Sequence, residues 1–322
     1  MTDLELSIHR TLRYFDLFDQ PLTATQLWRL LILPSEEHSL RWDGHRLWQL
    51  SEVRNVLQTS DWLRQRAGSK WGYYYLKGRE SIVCQWLRRH ALAQDKWKLT
   101  VRLVRWLTPV PFVRMIAMSG SLAEGNVRPN SDLDLFIIVR HGRIWLARLF
   151  VLIVAQMTGR RRKYWNRQAP DKLCLNHYVT DSHPVISPEI RNVYTSVLYR
   201  HLIPLYGVSV FRRFQQANAG WLKQYVMYPT PLFIWSPYLI RTPWWLRTLK
   251  HKAERALSEP LTDIFEILAE RVQRNLVMNH ALPGQGGRVA LSSTELAFHP
   301  NSKVPRILER FGQDEGQKQL LS

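Results

Sequence analysis

The chain has 322 residues and is 45% apolar, with 45 Lys and Arg against 26 Asp and Glu, a formal charge of +19 and a pI near 10.3. This length predicts two or three domains with real cores, and the charge favours anionic partners: nucleic acid, nucleotides or acidic membrane surfaces. Its two cysteines, Cys84 and Cys174, exclude a disulfide framework or a cysteine metal cluster, no apolar run reaches membrane-spanning length, and the acidic, polar opening at Met1 to Glu5 does not read as a signal peptide, so a cytoplasmic location is expected.

Residues 3–18 read as a helix burying Leu4, Ile8, Leu12, Tyr14, Phe15 and Phe18, broken by Pro21. Thr23 and Gln26 form a capping box for a second helix that carries Leu27, Trp28, Leu30 and Leu31. A third helix is expected from Ser51 to Gln58, followed by two strands, Trp62 to Arg66 and Trp71 to Leu76, around Gly68-Ser69. Three helices and a hairpin are the winged-helix order, so residues 1–78 are expected to form a winged-helix-like domain. Its wing, residues 64–77, is basic and aromatic, with Arg64, Arg66, Lys70, Trp71, Tyr73, Tyr74, Tyr75 and Lys77. Such a surface serves nucleic-acid contact or protein packing. Residues 79–108 predict a connecting helix, ended by Pro109 and Pro111.

The chemistry concentrates in residues 113–139. An apolar strand, Val113 to Met118, runs into the turn Ser119-Gly120-Ser121 and then a loop broken by Gly125 and Pro129. Ser131-Asp132-Leu133-Asp134 leads into a second strand, Leu135 to Val139. Residues two apart on a strand share a face, so Asp132 and Asp134 point the same way. Two adjacent carboxylates repel each other, and a hard cation such as Mg²⁺ relieves that cost. The Gly120-Ser121 turn can aim backbone N–H groups at an anion, and a helix starting there would add its positive end. Phosphate on one side and paired carboxylates on the other are the equipment of phosphoryl or nucleotidyl transfer.

Gly120, Ser121, Ala123 and Gly125, followed by Ser131, Asp132, Asp134 and Leu135, resemble the G-S-x-A-x-G…S-D-x-D-hydrophobic pattern of the DNA polymerase beta-like nucleotidyltransferase superfamily. The resemblance implies an α/β nucleotidyltransferase core, a mixed sheet with helices, over residues 109–185. It implies Asp132 and Asp134 as metal ligands for Mg²⁺ or Mn²⁺, and an NTP as donor. It also implies that Gly120, Ser121 and Ser131 attend the nucleotide phosphates. A third carboxylate commonly sits on the next strand, residues 173–179; here the candidate is Asn176, with Cys174 and Tyr178 expected on its face and His177 opposite. The pattern Asp171-Lys172…Cys174…Asn176 and the wing also resemble a group of bacterial proteins in which a winged helix precedes such a domain. Minimal members often carry Arg at the positions of Leu122 and Glu124, so either Arg128 or the run Arg160-Arg161-Arg162-Lys163 replaces that triphosphate contact, or triphosphate binding is weak. The amide at position 176 leaves a second reading open: a weakened or inactive nucleotidyltransferase fold that binds nucleotide or nucleic acid.

Beyond the core, Ile144 to Thr158 is expected to be a buried helix covering the sheet. The basic run at 160–163 is read as a phosphate or nucleic-acid contact. Residues 186–322 are expected to be mostly helical. An aromatic, basic segment at 228–252 with Trp235, Trp244 and Trp245 suits core packing, stacking on nucleic acid or membrane-surface contact. A helix at 259–279 presents the stripe Leu261, Ile264, Phe265, Leu268 and Val272.

Overall fold

Reciprocal capping starts the chain: the Thr2 hydroxyl accepts from Glu5 N–H, and the Glu5 carboxylate accepts from Thr2 N–H, opening α1 (Asp3–Asp16). The computed structural model describes residues 1–34, 47–162, 169–228, 236–257, 261–280, 288–299 and 302–319. Lys163 and Trp235 lie outside them. A short strand, β1 (Leu22–Thr23), leads into α2 (Ala24–Arg29), whose Thr23–Gln26 capping box forms as the sequence predicts. Next comes α3 (Leu50–Thr59).

Trp62 to Arg66, expected as a strand, is helical instead, within α4 (Asp61–Arg66). The Ser60 hydroxyl accepts from Leu63 N–H, and Asp61 sits in the first turn, so the cap outweighs the strand propensity of Trp62. The hairpin moves accordingly to β2 (Ala67–Lys70) and β3 (Tyr73–Leu76). It turns at Trp71 and Gly72, with φ of 53° and 79°, the backbone a two-residue hairpin loop demands. β3 pairs on its other edge with β1, giving the order β1-β3-β2.

The 27-residue helix α5 (Ser81–Leu107) then leads to a six-stranded sheet. In chain order the remaining elements are β4 (Val113–Met118), the single turn α6 (Gly120–Ala123), β5 (Leu133–Val139), α7 (Ile144–Met157), β6 (Leu173–Thr180), α8 (Val193–Arg200), β7 (Ile203–Tyr206), α9 (Val208–Leu222), α10 (Trp244–Ala256), α11 (Leu261–His280), β8 (Arg288–Leu291), β9 (Glu295–His299) and α12 (Val304–Gln319). The sheet order is β7-β4-β5-β6-β9-β8, with β5 and β6 parallel and the other neighbours antiparallel, a mixed sheet as expected. Strand alternation divides its side chains between two cores. Ile116, Met118, Leu135 and Ile137 pack with α5 and α7, whereas Met115, Ala117, Phe136 and Ile138 pack with α8, α9 and the N-terminal helices.

Three expectations need correction. Among the described residues the region after 186 is mostly helical, but its β7, β8 and β9 supply three of the six strands, so the sheet runs past the expected boundary at 185. The stripe on α11 does not face the core: Ile264, Phe265, Leu268 and Val272 are exposed, and Thr262, Ala269, Gln273 and Val277 are buried. The reason lies in α7, whose first backbone amides need acceptors. Glu266 accepts from Trp145 N–H at 2.8 Å and Leu146 N–H at 2.9 Å, and Gln273 accepts from the buried Arg148. The polar side of α11 is therefore its docking side. Finally, His177 does not point away from the carboxylate face. Asp134 pairs with Cys174 but Phe136 with His177, so three residues of β6 span two of β5. This bulge turns His177 onto the side of Phe136, with ring centroids 4.9 Å apart, and sends Tyr178 into the opposite core. Among the described residues no helix is long and apolar enough to cross a membrane.

Candidate active site

The site forms where β4 ends and β5 begins. Ser119 N–H donates to the Asp134 carbonyl at 2.9 Å, tying the turn to the strand that carries the carboxylate. Gly120 follows with φ of 65°, and a Cβ there would lie 2.6 Å from Asp134 Oδ2. The position thus requires glycine twice, for its left-handed backbone and for the approach of the carboxylate. α6 is a single turn, so the positive helix end expected at Gly120-Ser121 is only weakly developed. The Ser121 carbonyl accepts from Asn126 N–H at 2.8 Å, which closes the loop on itself.

The return of that loop is held from below by α5. Lys96, 4% exposed, donates to the carbonyls of Pro129 (3.2 Å) and Ser131 (2.9 Å) and pairs with Asp171 Oδ1 at 2.6 Å. The Ser131 hydroxyl accepts from Arg128 N–H at 2.9 Å. Asp132 then emerges just before β5, and Asp134 on it. Across the parallel pair, Cys174 stands opposite Asp134, and ligand atoms of Asp132, Asp134 and Cys174 all lie within 4.8 Å of one another. The structure therefore brings together Gly120, Asp132 and Asp134, with Ser121 and Ser131 in the adjoining turns. Asn176 comes two residues after Cys174, at the bulge. Arg128 is turned outward, its side chain 65% exposed and 4.0 Å from Asp19.

Sequence reasoning missed three contributors. Cys174 figured only as a neighbour of Asn176. Lys96 looked like one more helix cation, and no signal marked it. Arg162 was one of a basic run, and the structure pairs its guanidinium with Asp132 Oδ2 and places Nη1 3.6 Å from Cys174 Sγ. Burial first, and the charge of Asp132 second, push the Asp134 carboxyl up to about 7 against the opposing effects of the Cys174 hydrogen bond and Arg162. Burial also lifts the Cys174 thiol. Arg162 thus meets the charge of Asp132 directly, while burial beside Asp132 disfavours the charged form of Asp134.

Two carboxylates that repel each other fit a hard divalent cation, whereas the thiol beside them is a soft donor that such a cation does not favour. No curated protein and no solved structure matches the chain. Residues 101–176 match the family described as the nucleotidyltransferase domain, a span that includes the loop, both aspartates, Cys174 and Asn176. Over residues 101–176 the match supports the resemblance to the DNA polymerase beta-like nucleotidyltransferase superfamily.

Proposed function

We propose that the protein transfers a nucleoside monophosphate from an NTP to an acceptor hydroxyl or phosphate, releasing pyrophosphate. The observation that carries this reading is the approach of Asp134 to Gly120 beside Asp132, which sets paired carboxylates against a turn able to receive phosphate. Asp132 and Asp134, with Cys174 beside them, would hold Mg²⁺ or Mn²⁺, which supplies charge neutralisation at the transferring phosphoryl group. Gly120 and Ser121 would meet the donor phosphates with backbone N–H groups, and Lys96 holds the loop that aims Asp132. Labelled ATP, GTP, CTP and UTP, offered with Mg²⁺ or Mn²⁺, test the reaction. The metal should also raise the Tm of the wild type, and Asp132→Asn and Asp134→Asn should remove that rise. An equal rise in all three proteins would overturn the reading.

Cys174 and Asn176 on β6, where a carboxylate is common in the superfamily, favour a second form of the same reading: nucleotide binding with slow transfer. The sheet order β1-β3-β2 and the hairpin tip support a winged helix at the N-terminus, with Trp71 67% exposed and Lys70 Nζ 4.7 Å above its ring. A nucleic-acid role for this wing predicts that removing Lys70 and Lys77 lowers the slope of log affinity against log salt by about 2. The free Cys84 and Cys174 suit a cytoplasmic setting.

A further inference from the structure

We propose that Arg162 is the resident counter-cation of the carboxylate pair and exchanges Asp132 for the donor's phosphates when a metal-bound nucleotide arrives. The inference rests on the nucleotidyltransferase reading above and assigns this arginine a role within that site.

The backbone builds the placement. Leu173 N–H donates to the Arg160 carbonyl at 2.7 Å and Arg162 N–H to the Leu173 carbonyl at 3.1 Å, so residues 160–162 run alongside the start of β6. The guanidinium is thereby delivered to Asp132 Oδ2 and the Cys174 thiol, half-covered, with its side chain 33% exposed and that of Asp132 21% exposed. A divalent cation shared by Asp132 and Asp134 draws on the Asp132 carboxylate whose Oδ2 Arg162 now holds, so the two cations compete. The displaced guanidinium stays beside the site, where its fork of donors matches phosphate oxygens. The neighbouring loop offers no substitute: the positions after Ser121 and Ala123 are Leu122 and Glu124, and Arg128 is directed toward Asp19. Bare metal must then displace Arg162 without giving it a partner, whereas a metal-bound nucleotide provides one. Metal and nucleotide consequently bind with positive coupling, and Arg162 is the source of the coupling.

The test measures Mn²⁺ affinity by titration calorimetry and by the electron paramagnetic resonance of free Mn²⁺, with and without a non-hydrolysable NTP analogue. Arg162→Ala should bind Mn²⁺ alone about tenfold more tightly than wild type, and the Mn²⁺–analogue complex about tenfold more weakly. Arg162→Met, which keeps the stem, should behave likewise, and circular dichroism identifies any variant that has not folded. Arg162→Lys should retain the competition with bare Mn²⁺ but recover only part of the analogue binding, because a point charge lacks the fork. Arg88→Ala, which removes an exposed positive charge on α5 outside the 160–163 run, should change neither value. Equal Mn²⁺ affinity in wild type and both neutral variants overturns the role of Arg162 while leaving the function reading in place. Failure of Mn²⁺ to bind any of these proteins, nucleotide present or not, overturns the function reading and the role of Arg162 with it.

Discussion

Gly120 and Asp134 are packed so closely that a single methyl group on Gly120 would lie 2.6 Å from Asp134 Oδ2. The turn and the carboxylate are therefore one unit, joined further by the hydrogen bond from Ser119 N–H to the Asp134 carbonyl. Gly120→Ala forces an L-residue into φ of 65° and pushes the carboxylate away. It should cost about 1–3 kcal/mol of stability and eliminate the metal-induced rise in Tm. Chemical denaturation gives the first quantity and thermal melts with Mn²⁺ the second. A folded variant with the wild-type metal response would show that the close approach is not needed for the site.

Lys96 acts on the same loop from the opposite side. Its three oxygen partners leave little of the ammonium unsatisfied, which explains how a cation persists at 4% exposure. Lys96→Met keeps most of the volume but takes the ammonium from the Pro129 carbonyl and the Asp171 carboxylate, and leaves the Ser131 carbonyl only the longer bond from Asp171 N–H at 3.3 Å. We expect a loss of about 2–3 kcal/mol and a several-fold weaker Mn²⁺ affinity as Asp132 loses its support. Should Mn²⁺ affinity be unchanged despite the lost stability, Lys96 serves the fold alone.

The stretch at 113–139 was legible because its signals are local: glycine where φ is positive, a strand on either side, and aspartates two apart. What stayed hidden depends on contacts distant in sequence. Arg162 reaches Asp132 across 30 residues and Lys96 reaches Asp171 across 75, and a basic residue carries no mark of which acid it will meet. The stripe of α11 was legible as a stripe, but its burial depended on Glu266 finding the amides of Trp145 and Leu146. The bulge in β6 is likewise invisible in a run of strand-forming residues, and it alone reverses the expected facing of His177 and Tyr178. The helix at Asp61 has its own local signal, the Ser60 cap, which the strand expectation for Trp62 to Arg66 leaves out of account.

Glu124, in the loop after Gly120, provides a pH signature. Burial pushes its carboxyl up to about 7 from an ordinary 4.5. His201 Nδ1 lies 3.8 Å away, but burial and then Arg200 hold that imidazole down at about 3, so the pair is neutral rather than ionic near pH 6. A carboxyl whose pKa is raised on folding stabilises the fold below its unfolded pKa, and this contribution is lost as pH rises through the folded value. Stability should therefore decline between about pH 4.5 and 7 on account of Glu124. Glu124→Gln should flatten that segment and leave the variant more stable than wild type at pH 8 by on the order of 2 kcal/mol. Urea denaturation at pH 5, 6, 7 and 8 measures the difference; parallel curves for the two proteins would show that Glu124 ionises freely.

Cys174 and Asn176 compete for the place of a third acid, and the register decides between them. Cys174 lies directly opposite Asp134 with its sulfur in the group of ligand atoms, whereas Asn176 sits at the bulge two residues on. A thiol raised by burial does not take a proton from an acceptor hydroxyl near neutral pH, and an amide cannot. Cys174→Asp adds a third negative charge beside Asp132 and Asp134. Without metal this should destabilise the protein above neutral pH, because Arg162 can meet only part of the charge. With metal the same charge should tighten Mn²⁺ binding about tenfold and raise any measurable NTP transfer by a comparable factor. Asn176→Asp should have the same sign and a smaller effect on both quantities. The two variants and the wild type are compared by Mn²⁺ titration and with labelled NTPs. A larger gain from Asn176→Asp than from Cys174→Asp would assign the vacant carboxylate position to 176 and show that the bulge directs that side chain into the site.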